Sequence, residues 1–316
     1  MPGRRLKRSM ARVLCLGDSC ADIMIPYGDL LKGKDVSVSF SCGGACANSA
    51  AALGRLGVDV SFAGKAGKDL YGLTMKKELE ECGVDTEYFR IDDSLVSTQI
   101  LVVLNENSER YPFLMPRDNP SYLQIFPEEL DKIDLSDTEY ILTNGMMLFQ
   151  QPAAGSICAF LDRAHRKGIR ILLDINYRIE TIHQDNACLL EAVQLSDYLL
   201  GSIEDDFLPL TGGKDIEEAI RKLTAPDKVI IARNGEGSTV YTSAEEYFCP
   251  RYEVDVCDTL GAGDAFNAGF IYGLTKGMNL ETCNRYGCAS AAICVSGKGA
   301  RHTPDEEELL RFILNH

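Results

Sequence analysis

The chain predicts an α/β fold: a mostly parallel central sheet with helices on both faces, and a small β-strand lid beside it. Three observations carry this expectation. From residue 12 onward, short β-branched or Leu-rich runs alternate with longer helix-like stretches. Several of those runs are apolar throughout, as strands covered on both faces must be. Two regions break the pattern by alternating polar and apolar residues, the signature of half-exposed antiparallel strands.

Taken in order, residues 13–16 open the sheet and Gly17 ends the first strand. Further strands are expected at 60–62, 140–143, 169–174, 198–200, 228–232 and 238–242. Helices are expected at 45–55, 70–81, 155–167, 216–223 and 265–274, each punctuated by Gly or a polar cap. The irregular segments 35–40, 99–104 and 110–115 supply the lid, which is expected to occupy about 23–42 and 97–118. The first twelve residues carry Arg4, Arg5, Lys7, Arg8 and Arg12 with no apolar segment behind them and read as a flexible basic tail. Residues 13–316 read as one domain with its lid.

Composition narrows the function. The chain has 316 residues, of which 45% are hydrophobic and 25% charged, ordinary values for a globular protein with a large core. Against 32 Lys and Arg stand 47 Asp and Glu, a formal charge of −15, which argues against nucleic acid or an anionic membrane as a general partner. Twelve cysteines in a chain of this length, with no C-x-x-C pair and only four histidines, read as free thiols in a reducing cytoplasm rather than as disulfides or a zinc site. No apolar run approaches the ~20 residues that cross a bilayer.

The richest motif is the run from Asp258 to Phe266, DTLGAGDAF, placed just before a helix. Its glycines allow a tight turn that aims successive N–H groups, and the positive end of the following helix, at one point. That is an anion hole. Asp264 would sit beside it, placed to take a proton from a hydroxyl attacking the bound anion. The simpler reading is that Asp264 caps the helix and the glycines only turn the chain. A dinucleotide fingerprint fits poorly, because Phe266 occupies the last glycine position. A P-loop is excluded, since none of the Gly-Lys pairs at 33, 64, 67, 213 and 297 is followed by Ser or Thr. A second motif opens another helix with Gly43 and Gly44, places Asn48 one turn in, and lines the helix with alanines. It fits either a ligand-binding helix start or a close-packed helix with Gly57 as its stop.

Together the two motifs resemble the PfkB or ribokinase family of carbohydrate kinases, whose signatures look like D-T-x-G-A-G-D and G-G-x-x-x-N. The resemblance runs from Arg12 to Arg301 in family order. It includes Gly17 and Asp22 in GDSCAD, Gly67-Lys68-Asp69 with Gly72, and the run from Arg233 to Gly237. It implies a ribokinase-like three-layer α/β/α sandwich that transfers phosphate from ATP to a hydroxyl of a small sugar or sugar acid. On that resemblance Asp264 is the base, the amides of Gly261, Ala262 and Gly263 hold the transferring phosphoryl group, and Asp22, Gly43, Gly44 and Asn48 line the sugar pocket. Phosphoryl transfer depends mainly on in-line positioning and charge stabilisation, which agrees with the reading of the residues alone.

The pattern departs from the family at one place. Where relatives carry N-x-x-E for a water-bound Mg²⁺, this chain has Ser202-Ile203-Glu204-Asp205, with Ser202 at the Asn position and Asp205, or alternatively Glu204, at the Glu position. The plain alternative is a solvated acidic helix start. The run from Asp174 to Arg178 looks like the D-x-N-x-R segment of ketodeoxygluconate kinases and some fructokinases, so Arg178 is expected to meet a carboxylate or a phosphate, or else a nearby surface acid. The resemblance further implies that Arg233, Gly235, Gly237 and residues 290–298 border ATP, that Asp258 helps hold K⁺, and that two lids pair in a homodimer. Arg110, Arg117, Asn119 and Tyr122 lie on the lid side and are candidates for substrate contact. A nucleoside kinase of the same fold is the competing enzyme, distinguished by whether Tyr111, Phe113 and Tyr122 face the pocket. A silent sugar- or nucleotide-binding regulator is the competing non-enzyme.

Overall fold

A computed structural model describes residues 12–105, 110–116, 118–177 and 186–316. In chain order the strands are β1 (Arg12–Leu16), β2 (Cys20–Ile25), β3 (Ser39–Gly43), β4 (Val60–Gly67), β5 (Phe89–Asp92), β6 (Gln99–Leu104), β7 (Arg110–Met115), β8 (Thr138–Asn144), β9 (Arg170–Asp174), β10 (Tyr198–Ser202), β11 (Val229–Asn234), β12 (Gly237–Tyr241) and β13 (Glu246–Pro250). The helices are α1 (Tyr27–Leu31), α2 (Ala45–Arg55), α3 (Leu70–Glu81), α4 (Pro127–Leu130), α5 (Ala153–Arg166), α6 (Ala187–Leu195), α7 (Leu208–Thr211), α8 (Ile216–Leu223), α9 (Ala262–Thr275), α10 (Leu280–Val295) and α11 (Glu306–Asn315).

Nine strands form one sheet in the order β13-β12-β11-β10-β9-β8-β1-β4-β5. The seven from β11 to β5 run parallel, and β12 and β13 complete the other edge as an antiparallel meander. β1 shows why the sheet must be covered twice. Val13 and Cys15 enter one core with α2, α9 and α10, while Leu14 and Leu16 enter a second core with α5 and α6. All four are at most 2% exposed. A strand with apolar side chains on both faces is stable only between two layers of helices, the three-layer arrangement expected from its sequence.

The lid is a separate four-stranded sheet in the order β3-β2-β6-β7. Its first hairpin differs from expectation: β3 spans Ser39–Gly43 rather than 35–40. The reason lies in its partner, because Pro26 follows β2 immediately and the last register pair is Met24 with Ser39, so residues 35–38 have no strand to bond with. β5, β13, α6, α10 and α11 were not expected from the sequence. Among them α10 is the principal partner of α9, and Gly269 of α9 lies so close that a Cβ there would be 2.5 Å from the Tyr286 carbonyl oxygen.

The lid strand β3 passes into α2 through Gly44. That residue has φ +99°, and a Cβ on it would lie 2.6 Å from the Asp18 carbonyl oxygen. Both the backbone conformation and the contact exclude a side chain. Gly44→Ala is expected to lower stability by about 2–4 kcal/mol, read as a fall in the urea midpoint at unchanged slope.

Candidate active site

The carboxyl ends of the parallel strands and the amino ends of α2 and α9 meet in a polar seam. Asp18 follows β1 directly and is buried. Its Oδ2 accepts from the Ala45 amide at 2.9 Å, and its Oδ1 accepts from the Cys46 amide at 3.1 Å and from Asn144 Nδ2 at 2.6 Å. The amino end of α2 is therefore closed by a carboxylate of the same chain. Gly44 lets the helix begin against the Asp18 backbone. Gly43 has a different neighbour, since a Cβ there would lie 2.3 Å from Asp22 Oδ2. Asp22 itself projects from β2, one strand over from Ser41.

The amino end of α9 is different. Gly261, at φ +82°, is its N-cap residue and supplies no side chain to the first-turn amides. A Cβ on Gly261 would lie 2.5 Å from the Ala300 carbonyl oxygen, so the turn is pressed against the loop after α10. Asp258 holds the same loop: its two carboxylate oxygens accept from the Leu260 amide at 3.0 Å and the Gly299 amide at 3.1 Å. Helix bonding resumes at Ala265, whose amide reaches the Gly261 carbonyl at 2.8 Å. Before it, the Ala262 amide reaches the Thr259 carbonyl at 3.4 Å, and the first-turn amides that precede the helical ladder lie at the positive end of the helix dipole, which favours an anion.

Asp264 lies in this first turn, and its carboxylate reaches out of the helix. Asn48 Nδ2 of α2 donates to its Oδ2 at 2.9 Å, and Ser49 Oγ approaches its carbonyl oxygen at 3.3 Å. Burial is the largest influence on its acidity and lifts it well above the usual carboxylate range. The Asn48 bond opposes this, the charges of Asp174 and Asp18 add to it, and Arg233 opposes it again. An aspartate held this way takes up a proton more readily than one in water.

Asp174, at the end of β9, is also raised by burial and is held by Asn267 Nδ2 at 2.8 Å and Arg233 Nη2 at 3.2 Å. Arg233 further donates from Nη1 to Asn267 Oδ1 at 2.8 Å and to the Gly263 carbonyl at 3.1 Å, and its guanidinium lies over the Phe266 ring. The residue expected at the nucleotide is thus tied into the seam and anchors the turn that carries Gly263. Gly235 and Gly237 form the β11–β12 turn, in which Asn234 Oδ1 accepts from the Glu236 and Gly237 amides at 3.0 and 3.1 Å.

Ser202 Oγ accepts from the Asp205 amide at 3.1 Å, leaving the Glu204 and Asp205 carboxylates exposed. Asp206 turns inward instead and accepts from the Ser202 and Tyr177 amides, both at 2.6 Å. No three His, Cys, Asp or Glu side chains gather into a metal cage among the described residues. A cation that keeps most of its waters and takes the rest of its shell from phosphate oxygens needs only one or two carboxylates, and the exposed Glu204 and Asp205 fit that requirement. Arg178 and Arg117 lie outside the described residues. Tyr122 is buried near Asp18. Tyr111 and Phe113 are on the opposite face of the lid from Asp22, because Phe113 pairs with Leu101 and Leu101 with Ile23, whereas Asp22 pairs with Ile100.

The sequence did not single out Asp18, Asn144, Asn267 or Arg301, and Asp174 appeared only within a longer run. Two signals were available: Asp18 and Asp174 both end apolar strands, where open α/β sheets collect ligand-facing groups, and Asn267 lies one turn beyond Asp264.

The doubly covered parallel sheet, with its strand ends facing the start of α9 and the adjacent Asp264 carboxylate, is a ribokinase-like arrangement. The chain belongs to the pfkB family of carbohydrate kinases, whose model matches residues 10–307. It is 28% identical over 316 residues to the 5-dehydro-2-deoxygluconokinase of Bacillus subtilis, covering 95% of each chain, and 27% identical over 311 residues to that of Listeria innocua, covering 96% of each. Among solved structures it superposes on a double-mutant fructokinase from Vibrio cholerae bound to fructose, ADP and potassium ion, with TM-score 0.82, 25% identity, and coverage of 96% of this chain and 98% of that one. The fold is shared equally with a putative ribokinase II from E. coli in complex with ATP and Mg²⁺, at TM-score 0.83 and 21% identity over 97% of this chain and all of the other.

Because the folded state raises the Asp264 affinity for protons, it holds more protons than the unfolded chain once the pH exceeds the ordinary aspartate value of about 4. The ionised carboxylate then lowers stability. Asp264→Asn is expected to melt above the wild type near pH 8, with the gap narrowing as the pH falls toward about 4 and closed below it. Thermal unfolding across that range checks it, and equal midpoints throughout would contradict it.

Proposed function

We propose that this sugar kinase transfers the γ-phosphoryl group of ATP to a hydroxyl of a small sugar acid of the keto-deoxy class. The observation that carries the reaction is the meeting of Asp264, held by Asn48, with the open amino end of α9 at Gly261, Ala262 and Gly263. The names of the full-length relatives support the acid as substrate. Asp22, Gly43, Gly44 and Asn48 bind the sugar. Asp264 orients the acceptor hydroxyl and takes its proton as the new P–O bond forms, and the first-turn amides receive the charge that develops on the phosphoryl oxygens. Glu204 and Asp205 would hold Mg²⁺ through water, which supplies neutralisation of phosphate charge; Asp258 would assist a K⁺ ion. ATP would lie along the Gly235–Gly237 turn and residues 290–298, with Arg233 supporting the turn beneath. Against a nucleoside, Tyr111 and Phe113 lie on the lid face away from Asp22, while Tyr122 is buried near Asp18.

An ADP-release assay over neutral hexoses, keto-deoxy sugar acids and nucleosides tests this reading. Turnover is expected with an acid, with kcat/KM at least about tenfold above any neutral sugar, and Arg178→Ala is expected to raise KM for the acid alone. Turnover confined to neutral sugars or nucleosides would overturn the substrate assignment.

The outer lid face exposes Phe40 on one edge strand, β3, and Tyr111, Phe113 and Met115 on the other, β7, between 39% and 55% accessible. Such a patch suits a second copy of the same lid. Sedimentation is expected to show a dimer that Phe113→Asp converts to monomer; a wild-type monomer at micromolar concentration would exclude it.

A further inference from the structure

We propose that Arg301 is a positioning residue that fixes which end of the Asn48 side-chain amide faces Asp264. The inference rests on the kinase reading above and concerns the same site.

Arg301 follows the loop that braces Gly261 and reaches back toward α2 and α3. Its Nε lies 3.2 Å from Asn48 Oδ1, and its Nη1 forms an ion pair with Glu78 Oε2 of α3 at 2.8 Å. A guanidinium has donors only. The Asn48 atom facing it must therefore be the carbonyl oxygen, which leaves Nδ2 to donate to Asp264 Oδ2 at 2.9 Å. If the amide turned over, its oxygen would face the carboxylate, two acceptors would oppose each other, and Asp264 would have to carry a proton to relieve them. A protonated Asp264 cannot accept the proton of an attacking hydroxyl. Glu78 holds the guanidinium and the guanidinium holds the amide, so an ion pair on α3 reaches the base two residues away.

A second observation sets Arg301 apart from an ordinary strut. Its Nη2 is sealed from water and finds no acceptor among the described residues. An unsatisfied buried donor on a charged group is costly, and a smaller residue would avoid it. The cost is understandable if the other two nitrogens are needed where they are.

The other titratable or charged groups facing Asp264 are Asp18 beyond β1, Asp174 at the end of β9, Arg233 of β11, and the thiols of Cys46 on α2 and Cys294 on α10. None contacts Arg301 in the described hydrogen bonds, so they serve as a constant background. The test is the pH dependence of kcat at saturating ATP and acceptor. In Arg301→Met the acid limb is expected to move up by about one pH unit, with kcat at pH 7 lowered about tenfold or more and KM for ATP within twofold. Arg301→Lys, which retains one cationic donor, is expected to restore most of the shift. Should the Met variant fold poorly, Glu78→Gln frees the guanidinium without removing it, and a smaller shift in the same direction is expected. An unchanged acid limb in folded Met and Gln variants would overturn the proposal, as would a kcat loss with no shift that Lys does not relieve. Failure of the kinase reading is separate: the wild type would then transfer phosphate to no acceptor.

Discussion

Of the buried or half-buried carboxylates that crowd the ends of the strands, three are each held by the amide of an asparagine from another element. Asn144 holds Asp18, Asn267 holds Asp174, and Asn48 holds Asp264. Like charges at such proximity repel, and in a region partly withdrawn from water the repulsion is weakly screened. An amide donor eases each charge without the desolvation cost of a full cation. Arg233 then binds Asp174, Asn267 and the Gly263 carbonyl into one unit, which fixes the turn at the start of α9. The closeness of α2 to α9 and the position of the Asp264 carboxylate are thereby coupled to the satisfaction of all three acids.

The two glycine-rich helix starts, so alike in sequence, end up with opposite roles. The start of α2 is already filled by Asp18, and its glycines serve close approach of the backbone and the neighbouring Asp22. The start of α9 carries no capping side chain and keeps its positive end for a ligand. On the function proposed above, that contrast would let a chain with net charge −15 take an anionic substrate at one helix end. Local backbone dipoles at one helix end decide the matter over a few ångströms, while net charge governs long-range encounters and solubility.

The fold was legible because β1, β9 and β10 are apolar on both faces, which admits few arrangements other than a doubly covered parallel sheet. The site was legible where chemistry is local, in Gly261 to Asp264. It was not legible where one residue meets another far along the chain. Asn48 and Asp264 are 216 positions apart, and no local spacing shows which amide faces which acid. The motif around Arg233 pointed to the nucleotide and carried no sign that its partners within the chain come from β9 and α9. The first lid hairpin shifted by a few residues because alternation in 35–40 describes a strand's faces and says nothing about whether a partner exists. α10 escaped notice because its small residues, fitted against Gly269 and Gly273, lack a strong apolar stripe.

The central claim is that the Asp264 carboxylate takes the proton of the acceptor hydroxyl. The most direct measurement is the single-turnover rate of phosphoryl transfer by Asp264→Ala, with and without added formate, which can enter the space that the side chain leaves. The rate is expected to fall by about 10²–10⁴-fold and to be partly restored by formate in a saturable manner. A folded variant that transfers phosphate as fast as the wild type without formate would contradict it.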